Sequence, residues 1–476
     1  MADVQIACAK TVRYEEKKGT YQLQPAIVHC QDTQISRVEV FATEKEWQQE
    51  VERRKGQDGF LILLHHILTP AFVNAHTHVS MGFFRGVLAQ ELQKRNLMED
   101  LFFTVESHLT PEDVFSFARM GAYESLLAGV GVVWEHYYYG MEIAAALEEV
   151  GLVGVIAPTL QDLKGPGVAN FDVHWQACEQ LYRRQSMPHA TSFLAMGPHA
   201  PDSVSDVLWQ RILAQARSWN VPMHFHLGQS QDEYREVYSR TGLSPVGFLD
   251  KMGVWAQAPQ TVCAHSIFVT KQDLSRLQDP RHCLVFCPSA QMVFEFPAAV
   301  LEWERAGLRW VVATDSVAGN DSMNLQKELR FASGVPRQQL SFDAGYQRFL
   351  QDPTGAPPQV SRKDEADFVD VSWILDKVWG NPGRLHPAFR AGTLEAGALA
   401  NLVAWDLNHP SLWPGDSLRS IAFTDSLGAI SNVMTAGKWR GEWGRFGESI
   451  CASVAYQTAH MHAQKCYRAL LLRCGF

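Results

Sequence analysis

Residues 67–78 read ILTPAFVNAHTH, an apolar run that ends in two histidines separated by one residue. A short apolar run of this kind is typical of a buried strand. His76 and His78 stand two positions apart, and side chains two apart in a strand lie on the same face. Both imidazoles could therefore reach one metal ion, although a pair of inward histidines also occurs in strands that bind no metal.

The same kind of strand recurs along the chain, in alternation with helical segments. One of these segments, residues 111–129, has Thr110 as its predicted N-cap, Pro111 at its first helical position and Gly129 as its stop. Strands that alternate with helices favour a parallel sheet, and eight such units predict a (β/α)8 barrel. The strand candidates are ILTPAFVNAHTH, GVVWEHYY, LVGVIAPTL, TSFLAMGPHA, VPMHFHLGQ, QTVCAHSIF, CLVFCPSAQ and LRWVVATDS.

Segments of β character flank the barrel region at both ends of the chain. We expect residues 1–68 and 388–448 to form one small domain together, with residues 69–387 as the barrel. Residues 449–476 are predicted to be a C-terminal helix. That helix could dock on its own chain or form a subunit contact in a homodimer, and the sequence leaves both alternatives open.

The composition is that of a globular protein, with 46% hydrophobic and 20% charged residues. The net charge of −9 gives no electrostatic footprint for a nucleic-acid polymer or an anionic membrane surface. The most apolar stretch, residues 60–73, is too short to span a bilayer, and the first ten residues do not resemble a signal peptide. Nine cysteines without a CxxC pair fit a reducing compartment. We therefore expect a cytoplasmic protein whose partner is a small molecule.

Polar side chains stand at the carboxyl ends of six of the eight predicted strands. These ends form the mouth of a (β/α)8 barrel, where its chemistry occurs. A lone histidine there is more often a structural residue, but six such strand ends are hard to attribute to chance. The residues in question are His76, His78, Glu135, His136, His199, His226, Gln229, His265 and Asp315.

A metal site can be assembled from this set. Adding His226 and Asp315 to the first histidine pair gives three nitrogens and one oxygen. Such a donor set suits Zn²⁺ or another divalent transition metal, with one position left for water. His224 lies on the same face as His226, one pleat deeper, where we expect it to pack or to support a ligand.

At these residues the chain resembles the amidohydrolase superfamily. Within it, the similarity is to the branch of cytosine, guanine and S-adenosylhomocysteine deaminases and triazine chlorohydrolases. The resemblance implies an α/β fold: a distorted (β/α)8 TIM-type barrel with a small β-sandwich built from both termini. The matching segments are LTPAFVNAHTHVSMGFFRG, MGPHAP, PMHFHLGQSQDE, CAHS, VFCPSAQM, VVATDSVAGNDSMNLQKELRFAS, GTLEAGALANLVAWDL and VMTAGKW.

The resemblance also implies a mechanism. One divalent metal, in the first instance Zn²⁺ with Fe²⁺ or Mn²⁺ as alternatives, lowers the pKa of its bound water. Asp315 takes the proton from this water, the hydroxide attacks a ring carbon that carries an amine, and His265 stabilises the developing charge. His199 matches a position that lines the substrate pocket. The metal ligands implied by the resemblance are His76, His78, His226 and Asp315.

The chain departs from the deaminase pattern at Gln229, where relatives have a glutamate that carries protons. A carboxamide can orient a ring nitrogen or water but cannot relay a proton. Either Asp315 performs all proton transfer, or the substrate has another leaving group or a cyclic amide, or Glu233 reaches the site. The favoured function is hydrolytic deamination of an aminated purine, pyrimidine, pterin or triazine, and a non-catalytic relative is the third alternative.

Three further residues are candidates for substrate binding. Glu135 and His136 could touch the substrate or support the ligands. Arg85, in the FFRG segment just past the first histidine pair, could bind a substrate anion or fix its own loop.

Overall fold

The computed structural model describes residues 3–86, 97–291, 298–336, 351–352, 370–415 and 417–475. The strands are β1 Val4–Glu15, β2 Thr20–Gln31, β3 Gln34–Val40, β4 Phe60–Leu63, β5 His66–Pro70, β6 Phe72–Thr77, β7 Val130–Tyr137, β8 Val153–Leu160, β9 Ser192–Leu194, β10 Gly197–Pro198, β11 Met223–Leu227, β12 Thr261–His265, β13 His282–Phe286, β14 Arg309–Val312, β15 Leu402–Asp406, β16 Ile430–Thr435 and β17 Lys438–Arg440.

The longer helices are α1 Glu44–Arg54, α2 Pro111–Leu127, α3 Gly140–Val150, α4 Phe171–Arg184, α5 Asp206–Trp219, α6 Gln231–Thr241 and α7 Val454–Cys474. Shorter α-helical segments are Thr104–Glu106, Pro245–Lys251, Val254–Gln257, Lys271–Leu274, Pro288–Gln291, Val300–Arg305, Val317–Asn320, Val371–Asp376, Leu418–Phe423 and Phe446–Ala452, and residues 325–336 are also helical. A π-helical segment covers Leu97–Phe103. The 3-10 turns are Val79–Phe84, Pro166–Val168, Ser275–Leu277, Pro382–Arg384, Pro410–Leu412 and Leu427–Ala429.

Two parallel sheets carry the centre of the molecule. One has the order β10-β8-β7-β6, with β9 also pairing with β8, and the other has the order β11-β12-β13-β14. Isolated parallel bridges, Met196 to Met223 and Thr77 to Asp315, connect the two sheets at both edges. The prediction of an α/β fold with parallel strands is confirmed, and the carboxyl ends of β6, β11, β12 and β14 lie together.

The stretch predicted as one strand, residues 67–78, is two strands in different sheets. β5 pairs antiparallel with β15 in the terminal sheet, whereas β6 pairs parallel with β7. Ala71 lies between them, and its N–H donates to the carbonyl of Asn401 at 2.9 Å. Every side chain of β6 and all but one of β5 are buried. The hydropathy of the sequence therefore does not reveal the break between the two strands.

The two ends of the chain share one sheet of order β17-β16-β15-β5-β1-β2-β3, in which β4 pairs with β1. Strands from both ends of the chain thus lie in one sheet, and their assignment to one small domain of residues 1–68 and 388–448 stays a prediction. The register of β1 against β2 shifts between Cys8 and Thr11, and β1 pairs with β4 before this irregularity and with β5 after it. That this sheet folds into a sandwich stays a prediction.

The predicted α2 helix is present with its expected start. The Thr110 side chain accepts a hydrogen bond from the Asp113 N–H, and Asp113 caps Thr110 in return. The C-terminal helix α7 packs against α2 and buries a stripe on one face, formed by Ala459, Ala463, Cys466 and Leu470. The single helix predicted for residues 449–476 is divided at Ser453 into the short helix Phe446–Ala452 and α7, and the homodimer stays a prediction. Among the described residues, no helix is long and apolar enough to cross a membrane.

Candidate metal centre and active site

The end of β6 is held by a buried carboxyl group on the neighbouring strand. Glu135, on β7, accepts a hydrogen bond from the Thr77 hydroxyl at 2.6 Å and from the Val79 N–H at 3.0 and 2.9 Å. Burial raises the pKa of Glu135 to about 8, against the opposing effect of these donors. The hydrogen bonds fix the backbone on both sides of His78, so the two strand-end histidines project from a rigid support.

Three histidines and one aspartate converge at this support. The Nε2 atoms of His78 and His226 are 3.3 Å apart, and Asp315 Oδ1 lies 3.3 Å from His78 Nε2. His76 Nε2 is 3.5 Å from the same oxygen. Two ligands placed about 2.0–2.1 Å from one tetrahedral ion are about 3.3 Å apart. The spacing of the four donors therefore fits a single divalent ion.

His76 provides an independent test of that fit. Its Nε2 is fully buried and makes no hydrogen bond with any described residue. A buried polar atom without a partner is costly, and most such atoms in folded proteins are satisfied. A metal ion among these donors would satisfy the His76 nitrogen.

In each candidate histidine ligand, the second ring nitrogen, Nδ1, contacts another group of the protein. His78 Nδ1 lies 2.5 Å from the carbonyl oxygen of His136, and His226 Nδ1 lies 3.0 Å from that of His199. His76 Nδ1 contacts His224 Nε2 at 2.9 Å. A carbonyl can only accept, so Nδ1 of His78 and His226 carries the proton and Nε2 presents a lone pair.

Electrostatics keep these imidazoles uncharged. Burial is the main cause that lowers the pKa of His76, His78 and His226, with neighbouring histidines adding to the effect for His76 and His226. A neutral imidazole is the form that binds a metal. The three imidazoles can therefore bind a cation at neutral pH without first releasing protons.

Asp315 and His265 form the opposite side of the cluster. Both residues have backbone conformations in the left-handed region, with φ of 62° and 73°. This conformation is uncommon for residues other than glycine and is concentrated at functional sites. The Asp315 N–H donates to the His76 carbonyl at 3.0 Å, and Asp315 Oδ2 lies 4.0 Å from His265 Nε2. Asp315 thus faces the candidate ligands with one oxygen and His265 with the other.

A small cavity, with a volume of about 60 Å³, opens onto this cluster. Its walls combine the polar residues of the strand ends with an apolar side supplied by the segment before α2. The lining residues are His78, Met81, Met98, Phe102, Phe103, Glu106, His136, Tyr137, Tyr138, Thr159, His199, His226, Gln229, His265, Asp315 and Ser316. His136, His199 and Gln229, all predicted from the sequence, line the same cavity as three of the four candidate metal ligands: His78, His226 and Asp315.

Two residues predicted to bind substrate lie elsewhere. Glu135 is absent from the cavity lining because its carboxyl is directed at the β6 backbone, as described above. Arg85 donates to Glu124 Oε2 at 2.5 Å and lines a separate groove against α2 and α7. Of the alternatives that the sequence leaves open, these contacts favour support of the histidine-bearing strand for Glu135 and attachment of its own loop to α2 for Arg85, rather than substrate binding.

In this structure Glu233 lies outside the cavity, so its entry into the site would need the loop rearrangement that the sequence-based alternative assumed. Both carboxyl oxygens of Glu233 accept backbone N–H groups, from Gly228 at 2.8 Å and from Gln229 at 2.7 Å. Its side chain is buried and does not line the cavity. Glu233 therefore holds the backbone of Gln229, and Gln229 itself faces the cavity as a carboxamide.

Sequence reasoning missed an acidic residue in the cavity. Glu106 lines it and accepts a hydrogen bond from the Tyr137 hydroxyl at 2.7 Å. Burial raises the pKa of Glu106 to about 7. Its position in the short helical segment Thr104–Glu106 before α2, away from any strand end, gave no signal in the pattern of polar residues.

The sequence matches a known protein family over more than half of its length. Residues 67–350, well over half of the chain, match the amidohydrolase family. The 5-methylthioadenosine/S-adenosylhomocysteine deaminase of Pyrococcus furiosus is 26% identical over 369 residues, which cover 76% of this chain and 80% of that protein.

Two solved structures share the fold. An adenosine deaminase from Xanthomonas campestris with bound zinc superposes with a TM-score of 0.79 at 19% identity, covering 99% of both chains. Atrazine chlorohydrolase from Arthrobacter aurescens, complexed with zinc, gives a TM-score of 0.75 at 16% identity and covers 98% of this chain and 100% of that one. The resemblance inferred from the strand-end motifs is confirmed, and this chain belongs to the amidohydrolase family, as a hydrolase of carbon–nitrogen bonds other than peptide bonds.

Proposed function

We propose that this protein is a metal-dependent aminohydrolase that removes an exocyclic amine from a nitrogen heterocycle, with an adenine nucleoside as the first substrate class to test. The observation that carries the proposal is the convergence of His76, His78, His226 and Asp315 beneath one cavity, with a buried nitrogen of His76 left without a hydrogen bond. The deaminase relative named above supports the choice of an adenine nucleoside.

We propose one Zn²⁺ ion per chain at these four residues. Three imidazoles and one carboxylate form a donor set that suits zinc, with iron and manganese as alternatives. When bound, such an ion supplies Lewis acidity and lowers the pKa of a coordinated water to about 7.

The chain's own residues would handle the protons. Asp315 lies between the candidate ligands and His265, so its carboxylate can accept a proton from the attacking water and deliver it toward the ring. His265 has a pKa lowered by burial and is neutral near pH 7, which lets it hydrogen-bond the ring atom that gains charge. Gln229 can orient the ring through its amide but cannot carry the proton.

Substrate recognition would involve a histidine and an aromatic wall. His136 Nδ1 lies 3.1 Å from the Thr159 hydroxyl, and its buried Nε2 makes no hydrogen bond with any described residue. That nitrogen is available to a polar atom of the substrate. Phe102, Tyr137 and Tyr138 line the same cavity and offer rings against which a planar heterocycle can stack.

A second candidate function rests on Gln229. The substrate could carry a leaving group other than ammonia, or a cyclic amide, for which a proton-relaying glutamate is less important. The fold shared with atrazine chlorohydrolase is compatible with this alternative but does not favour it over deamination.

The proposal is tested by measuring ammonia release from a panel of adenine nucleosides, aminopyrimidines, pterins and aminotriazines. We expect ammonia from at least one member, with kcat reduced at least a hundredfold in His265→Asn. A His282→Asn variant is the matched control, because this buried histidine bonds Thr261 and the Trp255 carbonyl away from the cavity. A zinc-loaded protein that releases no ammonia from any member would contradict deamination and move the assignment to the second candidate.

The finer architecture belongs to the same proposal. We take the two bridged parallel sheets as the distorted (β/α)8 barrel of residues 69–387, and the terminal sheet as the β-sandwich of residues 1–68 and 388–448. Two observations support this division. Parallel bridges join the two parallel sheets at both edges, and strands from both ends of the chain share the terminal sheet.

A further inference from the structure

One lysine beside the cavity is surrounded by three carboxylates. Lys164 Nζ lies 2.9 Å from Asp202 Oδ2, 2.9 Å from Glu99 Oε1 and 2.6 Å from Glu236 Oε2. The lysine side chain is only 26% exposed, and Asp202 is buried. Neither the family resemblance nor the candidate mechanism uses this cluster.

The four residues come from four separate parts of the chain. Lys164 follows β8, Asp202 follows β10, and Glu236 lies on α6, which follows β11. Glu99 belongs to the π-helical segment Leu97–Phe103. The lysine therefore joins this segment to the carboxyl ends of three strands that carry the site.

The joined segment forms part of the cavity wall. Met98, Phe102 and Phe103 all line the cavity, and the Phe103 ring lies 5.8 Å from the ring of His199. These apolar side chains are placed where a heterocycle would stack. The contact of Lys164 with Glu99 is an ion pair that ties this segment to the strand ends.

The positive charge of Lys164 offsets the negative charges of the three carboxylates around it. Burial lowers the pKa of Lys164, but the attraction of the three carboxylates outweighs burial and raises it, so the ammonium is charged at neutral pH. Without this ammonium, three carboxylates would face one another. Glu99 and Glu236 are about half exposed, so they would move apart more readily than the buried Asp202.

We propose that Lys164 is a positioning residue for substrate binding, which holds the Leu97–Phe103 wall against the strand ends so that the cavity closes around the heterocycle. This inference rests on the proposed function, in which this cavity binds the substrate. Lys164 acts through its ion pair with Glu99 and does not itself line the cavity.

The test is Lys164→Met in the full-length, metal-loaded enzyme. We expect KM to rise about tenfold while kcat stays within about twofold, because binding is lost and the reacting groups are not touched. Amide hydrogen exchange, followed by mass spectrometry in the absence of substrate, should become faster in peptides covering residues 97–106 and unchanged in β12 and β13. Lys164→Arg should restore both readouts, because it restores the cation.

Two carboxamide variants separate the link from simple repulsion. Glu99→Gln removes the contact with the wall segment and leaves Lys164 neutralised by Asp202 and Glu236, so it should reproduce the faster exchange and the higher KM. Glu236→Gln keeps the contact between Lys164 and Glu99 and should change neither. Lys18→Met, which breaks an exposed pair with Glu15, is the matched control for loss of a lysine.

Unchanged exchange at residues 97–106 in Lys164→Met and Glu99→Gln would overturn the inference. So would a fall in kcat of about tenfold in Lys164→Met with KM unaltered. The exchange measurement needs no substrate, so it remains decisive if no panel compound is deaminated. Failure of the proposed function would appear instead as absent ammonia release in the unmodified enzyme.

Discussion

His76 Nδ1 and His224 Nε2 lie 2.9 Å apart at the base of the histidine cluster. His224 is fully buried, and its ring packs edge-on against Trp134 and His136. A hydrogen bond at this distance needs a proton on one of the two nitrogens, and the contact directs His76 Nε2 towards Asp315. His224 therefore supports a candidate ligand, one pleat below His226 on the same strand.

Replacing His224 tests this supporting role. We expect His224→Phe to weaken zinc binding by about 10- to 100-fold, because His76 loses the partner that fixes its orientation. Competition with a chromophoric chelator measures the affinity. His282→Phe, a change at a buried histidine on β13, should leave the affinity unchanged. Equal zinc affinity in His224→Phe and the unmodified protein would contradict the assignment.

Gln229→Glu tests whether proton delivery limits the reaction. A carboxylic acid at this position can protonate the departing amine, and a positioned general acid typically contributes 10²–10⁴ in rate. We expect kcat for deamination to rise at least about tenfold, with KM altered less. Stopped-time ammonia assays across pH measure this, with Gln231→Glu, the neighbouring change on α6, as the control. A fall in kcat would mean that the site is built around the carboxamide and that Asp315 performs all proton transfer.

Glu106→Gln tests the buried acid in the cavity through stability. Burial raises the pKa of Glu106 from 4.5 to about 7, so the folded chain keeps a proton that the unfolded chain releases between these pH values. The contribution of Glu106 to stability is therefore undiminished below about pH 4.5 and falls as the pH rises through 7, by about 3 kcal/mol in total.

The glutamine variant carries no such penalty. We expect Glu106→Gln to be more stable than the unmodified protein at pH 8 and similar to it at pH 5, as measured by urea unfolding at both values. Glu16→Gln, at an exposed residue of the β1–β2 turn, should show no pH-dependent difference. A Glu106→Gln variant that is equally destabilised at both pH values would show that the ionisation of Glu106 is not perturbed.

The strand-end residues could be predicted because their spacing is local. The separation of His76 from His78, and of His224 from His226, fixes which side chains share a face whatever the tertiary structure. Parallel strands then bring their carboxyl ends to one edge, so His265 and Asp315 follow from the strand order alone.

The remainder of the site depends on contacts that no local pattern records. Glu106 and the Leu97–Phe103 wall reach the cavity from a segment outside the strand ends, and nothing in their sequence marks them. Arg85 follows the histidine pair closely in sequence, but its loop turns toward Glu124 on α2. The break at Ala71 was hidden because the apolar side chains on both sides of it are buried in different sheets.

The central claim is that a metal ion at His76, His78, His226 and Asp315 is needed for deamination. The most direct measurement is ammonia release from an adenine nucleoside by the purified protein, before chelation, after removal of metal and after addition of one equivalent of Zn²⁺. The account predicts ammonia release that is lost with the metal and regained on its return. Ammonia release that continues undiminished in metal-free protein would contradict it.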